Sequence, residues 1–254
     1  MTEAVVPVEV TRVRGDTEAI AADHVVAEEP MELRLGGVPI AVVMRTPGDD
    51  EDLALGFALT EGIILDPGEL AAVTGSEGRY ELVLAPGVEV DPEQFRRNFY
   101  ASSSCGVCGK ASIDAVRVTA RPIRAPARVP SDVILDLPRT MRPSQAAFET
   151  TGGIHAAAIF DLEGGLLDLY EDVGRHNAVD KVVGSCSRRR WPLDDTILMV
   201  SGRVSFEITQ KAGVAGIPVV CGVSAPSSLA IELGRELGMT VIGFVRDDGY
   251  NLYT

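Results

Sequence analysis

Residues 196–245 read TILMVSGRVSFEITQKAGVAGIPVVCGVSAPSSLAIELGRELGMTVIGFV. Three short apolar runs, at 196–202, 217–223 and 239–245, alternate with two stretches of helical spacing. In the first stretch Val204 and Ile208 share a face, and Glu207 precedes Lys211 by four residues, the spacing of a helical ion pair. In the second, a serine-capped segment carries Leu229, Leu233 and Leu237 four apart. Strands that are apolar throughout belong to a sheet covered on both faces, so this alternation predicts an α/β layer.

Working outward, residues 173–186 (VGRHNAVDKVVGSC) place Val179, Val182, Val183 and Cys186 at i, i+3, i+4 and i+7, an amphipathic helix lying on a core. Before it, TTGGIHAAAIFD, a Glu163–Gly164–Gly165 turn and LLDLYED read as a hairpin, preceded by a helix around 143–149. Residues 121–145 contain five prolines and no long periodic run, the texture of a linker. The expected division is an N-terminal α+β region over 1–138 and an α/β domain over 139–254. In the first region 5–13 and 38–44 read as strands, 48–64 as a helix capped by Asp49 or Asp50 with Leu53, Phe57 and Ile64 inward, 80–84 as a strand and 92–99 as a short helix. Residues 112–119 make an imperfect strand pattern.

The 254 residues are 46% hydrophobic, enough for one large or two small cores. A net charge of −14 disfavours nucleic acid and anionic membranes as partners. No run of about 18 apolar residues predicts a membrane span. The opening MTEAVVPVEVTRVRGD has no basic-then-apolar pattern, so no secretion signal is expected and the location expected is cytoplasmic. The run Arg188–Arg189–Arg190 reads as a solvated loop after a helix.

Cys105 and Cys108 lie in SSSCGVCGK (102–110), among serines and glycines with only Val107 as a large apolar neighbour. Core cysteines sit among large apolar residues, so these two read as presented on a loop. A CxxC serves a dithiol couple, half a metal site or a nucleophilic thiolate. The other cysteines, Cys186 and Cys221, lie on apolar elements and read as core, so a single-chain zinc site has too few ligands.

His24 reads as structural. His155 follows a glycine pair that brings backbone close to something, and His176 stands with Glu171, Asp172, Arg175, Asn177, Asp180 and Lys181 at a helix entry. That cluster fits either capping with surface ion pairs or a pocket for an anionic ligand. Ser201, Gly202, Arg203, Ser205 and Glu207 follow a strand end, the usual place of an α/β ligand site. No histidine opens an H-x-E and no proline precedes Cys105, which excludes a zinc deaminase; the phosphate loop GxxxxGK[ST] is absent as well.

Taken in order, SSCGVCGKASI, TGGIHAAAIFD, EDVGRHNAVDK, SGRVSFEITQKA and TVIGFVRDDGYNLYT resemble the formate dehydrogenase accessory sulfurtransferases, the FdhD family. The resemblance implies a cytidine-deaminase-like mixed-sheet C-terminal domain that has lost the catalytic zinc, a smaller N-terminal α+β region, and a homodimer. It implies a carrier that takes persulfide sulfur from a cysteine desulfurase and passes it to the molybdenum or tungsten bis(pyranopterin guanine dinucleotide) cofactor before insertion into formate dehydrogenase. Cys105 matches the persulfide-forming cysteine and Cys108 its partner. Cofactor contact is expected along Phe244, Val245, Arg246, Asp247, Asp248 and Gly249, with Arg175, His176, Gly202 and Arg203. GDP is the expected surrogate ligand and no protein-bound zinc is expected. Relatives carry a Pro-Gly-Arg-like ending where this chain has Asp247–Asp248–Gly249; these carboxylates must point away from an anionic cofactor or accept bonds from guanine. The rival readings are a cofactor-holding chaperone and a dithiol oxidoreductase.

Overall fold

The computed structural model describes residues 4–95, 120, 122, 123 and 128–254. Cys105, Cys108 and the strand expected at 112–119 lie outside the described residues.

The chain opens on a two-stranded antiparallel ribbon, β1 (Val5–Arg14) and β2 (Thr17–Val26). A four-stranded sheet follows in the order β4-β3-β6-β5, built from β3 (Glu29–Leu35), β4 (Val38–Arg45), β5 (Leu70–Ser76) and β6 (Arg79–Leu84). Helix α1 (Asp50–Thr60) covers its inner face, where Met31, Leu33, Leu35, Ile40, Leu53, Phe57, Leu59 and Leu82 form one core. Asp49 does precede α1, in a left-handed conformation and without a side-chain cap bond. Asp50 is instead paired with the buried Arg45 at 2.7 Å.

The C-terminal half is the expected mixed α/β layer. Its sheet runs β12-β11-β10-β9-β7-β8. The strands are β7 (His155–Asp161), β8 (Leu166–Asp172), β9 (Thr196–Val200), β10 (Val219–Gly222), β11 (Thr240–Arg246) and β12 (Gly249–Leu252). Strands β9, β10 and β11 are parallel; β7, β8 and β12 join antiparallel. Alternate residues feed opposite faces, as the two-residue period of a strand requires. Ala157, Ile159, Leu198, Val200, Val220 and Val241 face one core, while Ala156, Ala158, Phe160, Ile197, Met199, Val219, Cys221 and Ile242 face another.

The second of these cores is closed by an element where the sequence predicted a linker. Residues Ser131–Met141 form helix α2, with Ile134, Leu137 and Met141 buried against the sheet. Pro130 stands at its cap, where a missing N–H costs nothing, and Pro138 lies in its last half. Residue 138, the expected boundary, therefore falls inside a helix that belongs to the C-terminal sheet. Helix α3 (Ala146–Thr151) follows a 3₁₀ turn at Arg142–Ser144.

Helices α4 (Arg175–Ser187), α5 (Phe206–Ala215) and α6 (Ser228–Leu237) cover the other face. The valine–cysteine stripe of α4 is buried as read. Two other readings change. Leu229 is 53% exposed, and the inward row of α6 is Ala230, Leu233, Gly234 and Leu237. Lys211 does not pair with Glu207; it turns into the interior to meet Asp180 and Glu61 at 2.9 Å each.

The two halves join where α1 crosses α4. A Cβ on Gly56 would stand 1.8 Å from the Asp180 carbonyl oxygen, and one on Gly184 2.0 Å from that of Asp52. Only glycine lets two helix backbones touch so closely. Beside the crossing runs a buried polar seam. Asp180 accepts from the Thr60 hydroxyl at 2.7 Å and from Lys211 Nζ at 2.9 and 3.0 Å. Burial alone would lower the Lys211 pKa, but the Asp180 and Glu61 carboxylates outweigh it and raise it. A second buried carboxylate, Asp172, accepts from Thr46 N, Gly174 N, Asn177 Nδ2 and Lys181 Nζ at 2.8–3.1 Å. It ties the end of β8 and the start of α4 to the segment after β4.

Candidate functional site

The parallel strands β9, β10 and β11 all end on one edge of the sheet, and antiparallel β7 begins there. That edge gathers His155, Ser201, Val223 and Asp247, each on the segment leaving or entering a different strand. The carboxyl edge of an open α/β sheet is where ligands are received, because the loops there are free to vary over a rigid scaffold.

A cavity of about 940 Å³ lies at this edge. Its walls are the end of α2 (Pro138, Arg139, Met141), the turn at Arg142–Pro143, Phe148 of α3, the Gly152–Gly153 pair, and the four strand-end residues just named. The walls are largely apolar with a few convergent polar groups, the usual make-up of a small-molecule site. Arg142 stacks over the Phe148 ring at 4.7 Å and reaches Glu149 at 3.0 Å. Arg139 is held by Asp136, its Nε donating at 2.7 Å. Ser201 Oγ accepts from Ala156 N at 2.9 Å, which fixes the strand end beside His155.

His155 is half-buried. Burial, and then the positive charge of Arg175, lower its pKa, with Asp172 opposing. A Cβ on Gly202 would come within 3.4 Å of its Nδ1, so the imidazole backs directly onto bare backbone. Arg175 Nε is buried with no hydrogen-bond partner among the described residues.

The closing segment predicted for the cofactor is a hairpin. Asp247 and Asp248 are the two turn residues, and Gly249 pairs with Arg246 across it. Asp247 lines the cavity. Arg246 Nη1 donates to the Val223 carbonyl at 2.6 Å, bracing the β10 exit against β11. Phe244 has φ 55° and is 40% exposed, at a bulge in the β11–β12 register. Val245 is only 1% exposed and packs in the core under α2, so its side chain is not available to a ligand.

The remaining expected residues divide. Gly202 adjoins His155 and Arg175 is near enough for its charge to lower the His155 pKa, whereas Arg203 is exposed. His176 belongs to the seam between helices: its Nε2 lies 3.4 Å from Ser205 Oγ and 3.7 Å from Glu207. Burial and the nearby Lys211 push its pKa down to about 4, which keeps the ring neutral at pH 7. Ser205 also caps α5, accepting from Ile208 N at 3.5 Å. Arg139, Arg142 and Phe148 had no place in the sequence reading of the site because their segment read as a linker or as a helix with no ligand role. The signal was present: Ile134, Leu137 and Met141 are spaced for a helix, which brings Arg139 and Arg142 to its end.

Cys186 and Cys221 are free and buried. Burial pushes the Cys186 thiol up to about 11 and the Cys221 thiol higher still. Arg188, Arg189 and Arg190 are exposed just after α4, as read, and are paired with Asp52, Asp168 and Asp194 at 2.8–3.2 Å.

Residues 26–254 match the FdhD/NarQ family. The chain belongs to the FdhD/NarQ family. A Streptomyces coelicolor relative in that family, named sulfur carrier protein FdhD, is 50% identical, over 96% of this chain and 92% of its own length. Relatives of the same name from Mycobacterium tuberculosis and Sulfolobus acidocaldarius are 45% and 41% identical, over 92% and 97% of this chain. Among solved structures, a formate dehydrogenase accessory protein from Desulfotalea psychrophila superposes with a TM-score of 0.79. It does so at 23% identity over 99% of this chain and 97% of its own, a shared fold. Among the described residues no helix is long and apolar enough to cross a membrane.

Proposed function

We propose that this protein is a sulfur carrier. Its Cys105 takes the outer sulfur of a cysteine desulfurase persulfide and delivers it to a molybdenum or tungsten bis(pyranopterin guanine dinucleotide) cofactor destined for formate dehydrogenase. The observation that carries the reading is 50% identity across nearly the whole chain to a relative named as a sulfur carrier.

The chemistry supports the choice of cysteine. In the first step the Cys105 thiolate attacks the outer sulfur of the donor persulfide; the donor's S–S bond breaks and its cysteine leaves as thiolate. Attack needs access and a thiolate. Cys186 and Cys221 are buried, with pKa values above the ordinary thiol range, and are poor candidates on both counts. That leaves Cys105 and Cys108, with Cys108 as the second thiol able to relay the sulfur.

The cavity at the sheet edge supports a site there for the cofactor's nucleotide part. Arg139 and Arg142 suit phosphate, the Phe148–Met141 wall suits a planar ring, and Asp247 can accept from the N–H groups of guanine. Here the Asp247 departure from the family ending acts as a base reader, not as a repulsive charge. The C-terminal sheet, with helices on both faces, suits a cytidine-deaminase-like scaffold. The exposed ribbon, with Val13 60% and Ile20 73% accessible, supports a homodimer in which a second copy covers it. The cavity also favours a second reading, a cofactor-holding chaperone without sulfur transfer. Activation of a formate dehydrogenase separates the two. Cys105→Ala should fold, bind GDP and fail to activate the client; wild-type activation by this variant would leave only the chaperone reading.

A further inference from the structure

We infer that His155 is a ligand-binding residue of the cavity, one that takes up a proton as it closes on the phosphate of a bound nucleotide. The inference rests on the nucleotide reading of the cavity proposed above. His155 is the first residue of β7, on the cavity wall, and its ring stands beside Gly202, where a Cβ would lie 3.4 Å from Nδ1, in van der Waals contact. The ring thus has Gly202 on one side and the cavity on the other.

The charges around the ring come from every neighbouring element. Arg175 stands at the start of α4, and its Nε is buried with no partner among the described residues. Asp172 is opposite His155 in the β7–β8 register, but its carboxylate is already engaged by Lys181, Asn177 and the backbone of Thr46 and Gly174. Arg139, Arg142 and Asp247 share the cavity. Burial and Arg175 both disfavour the imidazolium and lower the His155 pKa, with Asp172 opposing. A phosphate placed against the ring and Arg175 reverses the local field and favours the imidazolium, which then donates a charge-assisted hydrogen bond. Binding and protonation are linked, so affinity rises as pH falls through the bound-state pKa of His155.

The test is calorimetric titration with GDP at constant ionic strength, from about pH 8 to about pH 5.5, in buffers of differing ionisation enthalpy. Wild type should take up a proton on binding and tighten about tenfold for each unit by which binding raises the histidine pKa. His155→Gln keeps a hydrogen-bonding side chain without the titration, and should bind with no tightening and no proton uptake. Arg175→Gln should bind more weakly throughout, with the inflection moved to higher pH because the cation opposing protonation is gone. Proton uptake by His155→Gln equal to that of wild type overturns the inference. If His155→Gln does not fold, an inflection left unmoved in Arg175→Gln overturns it. No binding of GDP by wild type at any pH removes instead the nucleotide reading on which the inference stands.

Discussion

Replacing Lys211 with Met should be among the most damaging single changes in the interior, and its cost should depend on pH. The Lys211 side chain is 5% exposed and its ammonium bonds Thr60 Oγ1, Glu61 Oε1 and both oxygens of Asp180 at 2.9–3.0 Å. Met fills the space of the stem but leaves Asp180, 2% exposed, without its cation. Removing one partner of a buried pair costs about 3–5 kcal/mol, against a typical total stability of about 5–15 kcal/mol. For a domain of this size that is a fall in Tm of roughly 6–20 °C. Burial already pushes the Asp180 carboxyl up to about 6, with Lys211 pulling it down, so the variant raises it further. A carboxyl whose folded pKa lies above its unfolded value binds more protons in the folded state. Its stabilising contribution is full below the unfolded pKa and is lost as pH rises through the folded one. The variant's deficit should therefore be largest near pH 8 and shrink toward pH 5. Adding Asp180→Asn to Lys211→Met should recover much of the loss at pH 8. Urea unfolding at the two pH values measures all three quantities. A deficit below about 1 kcal/mol at pH 8, or one that does not shrink on acidification, would refute the reasoning.

Gly184→Ala should destabilise by about 1–3 kcal/mol or more, because its Cβ would meet the Asp52 carbonyl and force α1 from α4; an unchanged urea midpoint would mean that the helices do not touch as described. Asp247→Asn should weaken GDP binding by about 1.5–3 kcal/mol and leave ADP nearly unaffected, because only guanine offers the carboxylate two donors. Equal losses for the two nucleotides would place Asp247 outside base recognition.

The C-terminal layer was legible because apolar strands and a valine stripe at helical spacing encode burial directly, as Ile197–Val200 and Val179–Cys186 show. Helix α2 was hidden by Pro130, Pro138 and Pro143, which read as breakers although the first two are tolerated at its cap and near its end. Local spacing misled at Glu207–Lys211, where an exposed helical pair worth a few tenths of a kcal/mol lost to two buried carboxylates. Nothing in the sequence around Gly56 shows that another helix backbone lies against it. The strand-end signal pointed to Ser201 and Gly202, and the family resemblance to the closing segment, whose Asp247 lines the cavity; but Val245 alternates inward and His176 serves the helix seam. Arg139, Arg142 and His155 became site residues only once α2 was seen to end beside the mouth of the sheet.

The central claim is that Cys105 carries the sulfur, and intact-mass analysis after incubation with a cysteine desulfurase and cysteine tests it most directly. Wild type should gain the mass of one sulfur atom, reversibly with a reductant. Cys105→Ala should gain none while unfolding at the wild-type temperature, and the double variant Cys186→Ala/Cys221→Ala should gain it as wild type does. A Cys105→Ala protein that still acquires the sulfur, or a double variant that loses it, would contradict the account.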